Sequence, residues 1–233
     1  MTTIPRILHQ IWLGPAQMPE KYSRWRDGFI RMNPDWECRL WTDDTLPPIL
    51  NRRAWDIARS LPGTTGHAIR SDILRLELLA RFGGVYLDTD VRPVRPLDEV
   101  CDVPAWIARE QADRVSNAAM GFPPNHPAMW RAVVSVDESF FRHRRVVDQA
   151  GPTLVRRVLL RYPDIVFYPP HYFTMRVREV RQTPGAHLVL KADHQFNATW
   201  CEHRMHRHRD LWEQTGVDTD AVLSSSLAEE DER

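Results

Sequence analysis

The sequence predicts an α/β protein, on three observations. Strand-like and helix-like segments alternate over the first 90 residues, as layered α/β folds require. One segment, His67 to Phe82, is a very clear helix that stops at Gly83-Gly84 and is followed by the apolar strand Val85-Tyr86-Leu87. Trp12 and the acidic pair Asp88 and Asp90 both fall at the ends of predicted strands, where ligands collect in such folds.

Taken in order, Arg6 to Gly14 reads as an opening strand with Ile7, Ile11 and Leu13 core-like. Pro19 to Met32 follows as a helix, with proline at its start and Tyr22, Trp25 and Phe29 at helical spacing. Asn33-Pro34 breaks it, and Trp36 to Trp41 alternates as a half-exposed strand does. Thr42-Asp43-Asp44 is a loop or cap, and Asn51 to Leu61 a shorter helix closed by Pro62-Gly63. In the His67 helix, Ile69, Ile73, Leu76 and Ala80 recur at helical spacing, and the glycine pair suits a left-handed C-cap. Farther on, Trp106 to Arg109, Ala118 to Phe122, Ile165 to Tyr168 and Leu188 to Leu190 read as strands. Ala128 to Ser139, Thr153 to Arg161 and Arg204 to Trp212 read as helices. No repeat or linker divides the chain, so residues 1–221 are expected to form one domain and 222–233 a flexible acidic tail.

Composition narrows the function classes. The 233 residues are 42% hydrophobic, enough for a core, and Lys+Arg and Asp+Glu both number 31. A zero net charge gives no global argument for nucleic acid as a partner. Nearly all the basic residues are arginines, Lys21 and Lys191 excepted, which a GC-rich genome explains as readily as a functional cluster does. Cys38, Cys101 and Cys201 are odd in number and widely spaced, with no CxxC pair, which argues against a disulfide framework or a structural zinc site. The opening apolar run holds Pro5, Arg6, His9 and Gln10 and does not read as a signal peptide. There is no apolar stretch of membrane-spanning length. The expected location is cytoplasmic, with peripheral attachment to a membrane allowed.

The chemistry centres on carboxylates. Side chains two apart in an extended chain point the same way, so Asp88 and Asp90 would approach one ligand together. Close carboxylates repel unless a cation sits between them, and oxygen ligands without cysteine suit Mg²⁺ or Mn²⁺. Asp-x-Asp at a strand end is also common without a metal. Asp72 and Arg75 share a face of the preceding helix, either as a surface ion pair or as a buried pair awaiting substrate hydroxyls.

The stretch HAIRSDILRLELLARFGGVYLDTDV, from His67 to Val91, resembles the glycosyltransferases whose sugar-binding region carries an Asp-x-Asp motif. Among these are the fungal initiating α-mannosyltransferase group and the glucosylating domains of large clostridial toxins. The opening IPRILHQIWLG is similar to the same family's first strand, and DHQFNATW, from Asp193 to Trp200, to its His-His-aromatic-Asn-Ala-Ser-Trp segment. Gln195 stands at the second histidine and Thr199 at the serine, which weakens the metal contact expected there. Ser116-Asn117-Ala118 resembles a segment entering the sugar pocket.

The resemblance implies a GT-A fold: a nucleotide-sugar-binding domain around a central mixed, mostly parallel sheet flanked by helices. It implies a UDP- or GDP-hexose donor, Mn²⁺ or Mg²⁺, and retention of the donor's configuration. By matching positions, Trp12 stacks on the base, Asp72 and Arg75 hold sugar hydroxyls, and Tyr86 lines the nucleotide–sugar pocket. Asp88 approaches ribose and metal, Asp90 ligates the metal, and Asn117 contacts the sugar. His194 or Thr199 completes the metal–diphosphate shell, with Trp200 near the leaving phosphates. From the residues alone, Trp12 also serves as a core side chain, His194 as a satisfied histidine and Trp200 as an anchor for the last helix. His203, His206 and His208 read as helix surface. The acceptor is a hydroxyl on a glycan, a lipid-linked sugar or a small molecule. Rival readings are a metal-dependent nucleotidyl or phosphoryl transferase, for which a G-x-x-x-x-G-K-[ST] loop is missing, and a non-catalytic carbohydrate-binding domain.

Overall fold

The computed structural model describes residues 3–174 and 191–194. The expected alternation opens the chain: β1 (Ile7–Ile11), α1 (Glu20–Met32), β2 (Glu37–Trp41), α2 (Arg52–Ser60), α3 (Thr65–Phe82) and β3 (Gly84–Leu87). Then come β4 (Val91–Pro93), β5 (Ala105–Arg109), β6 (Val115–Phe122), α4 (Pro127–Val134), α5 (Val136–Arg142), α6 (Val146–Gln149), α7 (Pro152–Leu159), β7 (Ile165–Tyr168) and β8 (Ala192–His194).

Six strands form one sheet in the order β2-β1-β3-β6-β5-β7. β1 runs parallel to β2 and β3, and β5 parallel to β7, while β6 is antiparallel to both neighbours. The sheet is therefore mixed with parallel pairs in excess, as expected. Period-two alternation sorts its side chains into two layers. Val85 and Leu87 pack with Phe29, Trp36 and Trp106 on one face, whereas Tyr86 joins Ile107 and Met120 under the helices.

On that helical face lies α3, packed against α2 and α4 as well as the sheet. Ile73, Leu74, Leu76, Leu78 and Leu79 are all fully buried, so this helix is apolar around most of its circumference. Gly83 ends it with φ +63°, and Gly84 follows at φ +97°, a pair of left-handed residues that side chains disfavour. The turn drops the chain directly into β3. A Cβ on Gly84 would sit 2.5 Å from the Ile7 carbonyl oxygen, so the close β1–β3 approach also requires glycine.

One expectation is corrected, and one sheet is additional. The helix expected from Ala128 to Ser139 is two helices, because Ser135 turns its hydroxyl back to the Arg131 carbonyl (2.8 Å) and ends the first. The second sheet, β4 paired antiparallel with β8, was not expected; three-residue strands carry no periodic signal. The expected strand Leu188 to Leu190, the helix Arg204 to Trp212 and the tail from 222 lie outside the described residues. Among the described residues, no helix is long and apolar enough to cross a membrane.

Candidate active site

The acidic pair is built by a turn. Tyr86 and Asp88 follow strand alternation, and the Tyr86 hydroxyl donates to Asp88 Oδ1 at 2.6 Å. The Asp88 N–H still reaches the Ala118 carbonyl of β6 (2.9 Å). Then the chain turns, closed by Val91 N–H on the Asp88 carbonyl at 3.1 Å, and Asp90 sits inside that turn. The closeness of Asp88 and Asp90 thus comes from chain reversal and not from the extended spacing expected.

The same turn feeds β4, whose Val91 pairs with His194 of β8. That pairing carries His194 across the chain to the carboxylates. Its Nε2 lies 3.1 Å from Asp90 Oδ1 and 4.0 Å from Asp88 Oδ2. One ligand atom from each of the three residues falls within 4.8 Å of the others. Burial pulls the His194 pKa down, but the Asp90 hydrogen bond and the charges of Asp90 and Asp88 outweigh it and raise it. Two carboxylates and one imidazole, with no thiolate, are a donor set that fits Mn²⁺ or Mg²⁺.

Next to this cluster α3 presents its buried pair. Arg75 Nη2 lies 3.2 Å from Asp72 Oδ1 and 3.3 Å from Asp88 Oδ1, and Nη1 donates to the Asn117 carbonyl at 2.8 Å. The guanidinium also stacks over the Tyr86 ring, 4.5 Å from its centroid. Burial opposes its charge, yet Asp88, Tyr86 and Asp72 together hold its pKa above the ordinary value. Asp72 receives a second bond on Oδ1 from Asn117 Nδ2 at 2.8 Å. Burial raises Asp72 to about 6, against the pull of Arg75. Asn117 reaches it because β6 bulges: Ile107 faces Met120 but Ala108 faces Ser116, so residues 117–119 leave the β5 register.

Trp12 follows β1, and its Nε1–H donates to the Ala16 carbonyl at 2.7 Å. One cavity of about 760 Å³ takes in these groups; Trp12, Asp72, Arg75, Tyr86, Asp88, Asp90, Asn117 and His194 all line it. Thr199 and Trp200, expected at the diphosphate, lie outside the described residues. Sequence reasoning missed three residues here. Asp43 Oδ2 accepts from Gly14 N–H (2.6 Å), Asp43 Oδ1 accepts from Arg70 (2.7 Å), and Arg70 reaches His67 Nδ1 (2.7 Å). The signal available was the i,i+3 spacing of His67 and Arg70 on the clearest helix.

A family model described as a glycosyltransferase sugar-binding region containing a DXD motif matches residues 19–112. That span holds Asp72, Arg75, Tyr86 and both carboxylates of the turn. Residues 19–112 are thus similar to the sugar-binding region of the DXD glycosyltransferases.

Similar curated proteins carry glycosyltransferase names. Inositol phosphoceramide mannosyltransferase 3 of Schizosaccharomyces pombe is 34% identical over 64% of this chain and 43% of its own length. Alpha-1,4-N-acetylglucosaminyltransferase of Homo sapiens is 28% identical over 68% of this chain and 46% of its own. The chain thus spans about half the length of the curated relatives it matches. Among solved structures, the PaToxG glycosyltransferase superposes with a TM-score of 0.57 at 20% identity, covering 70% of this chain and 71% of that one. A glycosyltransferase involved in glycosylation of the PBCV-1 major capsid gives 0.52 at 9% identity over 84% and 96%. The fold is GT-A-like, as expected.

Proposed function

We propose that this chain is a metal-dependent, retaining hexosyltransferase that moves a sugar from a nucleoside diphosphate donor to a hydroxyl acceptor. The observation that carries the reading is the meeting of Asp88, Asp90 and His194 within 4.8 Å on the wall of a cavity that Trp12 also lines. A cavity of about 760 Å³ is in the range of small-molecule and cofactor sites.

Asp90, Asp88 and His194 would hold the divalent cation. When bound, the cation stabilises the negative charge that grows on the departing diphosphate. Asp72 has both its side-chain contacts on Oδ1, and its Oδ2 is the acceptor for a donor-sugar hydroxyl. Arg75 fixes Asp72, Asp88 and the Asn117 backbone in one geometry, so these groups need no rearrangement as charge develops. Trp12 is the platform for the base. Same-face attack by the acceptor hydroxyl is the favoured route to retention.

The relatives' names support a hexose or N-acetylhexosamine donor, and the mannosyltransferase relatives favour mannose and a lipid-linked acceptor. The experiment is incubation of the protein with a panel of UDP- and GDP-sugars, with Mn²⁺ or with EDTA, reading the released nucleoside diphosphate. Release from one donor class, lost in EDTA, is expected. No release from any donor with Mn²⁺ and an acceptor panel would end the reading. NMR of the glycosidic product then reports retention or inversion.

A further inference from the structure

The Asp43–Arg70–His67 chain is not used by the mechanism above, although two of its contacts end on the cavity wall. Arg70 is 4% exposed and stacks over the Trp55 ring at 5.2 Å, so its guanidinium is held on both sides. A guanidinium only donates, and therefore His67 Nδ1 accepts the 2.7 Å bond from Arg70. The neutral ring must then carry its proton on Nε2. Burial and the Arg70 charge lower the His67 pKa, against Asp43, which keeps the ring neutral at pH 7. The Nε2 edge lies against Gly14: a Cβ there would be 2.6 Å from Nε2 and 2.9 Å from Cε1. Gly14 has φ +98° and is tied by its N–H to Asp43, so loop and ring are locked together. Gly14, His67 and Trp12 all line the cavity, and Gly14 lies two residues beyond Trp12 in the chain. Among the described residues His67 Nε2–H has no hydrogen-bond partner.

We infer that His67 reads the donor base, as an Nε2–H donor set by Asp43 and Arg70, and selects a base that offers a carbonyl over one that offers an amino group. This rests on the nucleotide-sugar reading and deepens it. A Trp face stacks on any base and distinguishes little. A fixed N–H donor on the wall of the same cavity does distinguish. Uracil and guanine present a carbonyl where cytosine and adenine present an amino group. Facing an amino group, the His67 N–H would lose its partner and meet another donor, which costs on the order of tenfold to a hundredfold in affinity. Asp43 and Arg70 are positioning residues, acting on the base only through the His67 tautomer.

The test is calorimetric titration with UDP, CDP, GDP and ADP in Mn²⁺, on the wild-type chain and on His67→Phe, which keeps a ring against Gly14. The expected result is that UDP outbinds CDP, or GDP outbinds ADP, by about tenfold or more, and that the ratio falls to near one in His67→Phe. ¹⁵N NMR of the His67 ring should show the Nε2–H tautomer in the wild type and a mixture in Arg70→Leu. A ratio that is already near one, a ratio that survives His67→Phe, or an Nδ1–H tautomer in the wild type overturns the inference while leaving nucleotide binding intact. If none of the four nucleotides binds, the nucleotide-sugar reading falls and takes this inference with it.

Discussion

Asp72 and Glu77 are both buried carboxylates on α3, and what surrounds them differs. Glu77, at 0% exposure, accepts from the backbone N–H groups of Leu50 and Asn51, from Asn51 Nδ2, and from Arg81. Both its oxygens are spent inside the protein, holding the start of α2 onto α3. The contacts of Asp72 gather on one oxygen, and the residue lines a cavity. Two histidines repeat the contrast. His9 accepts from Trp41 Nε1 (3.1 Å), so its Nε2–H donates to the Gly83 carbonyl (2.9 Å), and burial drives its pKa down to about 4. His194 faces Asp90 and Asp88, which raise it. A buried polar group completed by the protein belongs to the fold; one gathered with like groups on a cavity wall is prepared for a ligand.

The largest effect that would break this contrast is on turnover. Asp90→Asn should lower kcat by about 10³-fold, some 4 kcal/mol of barrier, while leaving the thermal midpoint unchanged or raised, since one of two close carboxylates loses its charge. Paired rate and melting measurements check it. Glu77→Ala should do the reverse, costing about 3–4 kcal/mol of stability because the Asn51 and Leu50 donors lose a charged acceptor. Urea unfolding gives that figure, and a stable Glu77→Ala protein would remove the contrast.

His9 sharpens it through pH. With a folded pKa of about 4 against 6.5 when unfolded, His9 is neutral in both states at pH 7, and its full contribution is present there. Below pH 6.5 the unfolded chain takes up a proton that the folded chain refuses, so stability falls with pH and this contribution is gone by about pH 4. The window amounts to roughly 3 kcal/mol. Urea midpoints from pH 4 to 7.5 should converge for wild type and His9→Gln as pH falls, whereas parallel profiles would place the burial argument in error. The smallest effect is expected of Asn117→Ala: about 1 kcal/mol of stability, with about a tenfold loss in kcat/KM because Asp72 loses one of its two anchors. A loss in stability alone would make Asn117 part of the fold and not of the site.

Much of this was legible beforehand. The α3 periodicity, the Gly83-Gly84 stop and the apolar β3 are local signals, and Asp72, Arg75, Asp88 and Asp90 lie within that same stretch. His194 was reachable only by resemblance, because the β4–β8 pairing that delivers it joins Val91 to a residue more than a hundred positions away. Asp43 was hidden for a like reason: a loop carboxylate gains meaning only when the fold sets it beside Arg70 and Gly14. The Asp88–Asp90 geometry was expected for the wrong physical reason, a straight strand where the chain turns.

The most direct test of the metal site is the affinity of UDP and GDP measured by calorimetry with Mn²⁺ and again with EDTA, for the wild-type chain and Asp90→Asn. The site described here predicts binding that needs Mn²⁺ in the wild type and is lost in Asp90→Asn under both conditions. Equal affinity with and without the chelator, unchanged by Asp90→Asn, would contradict it.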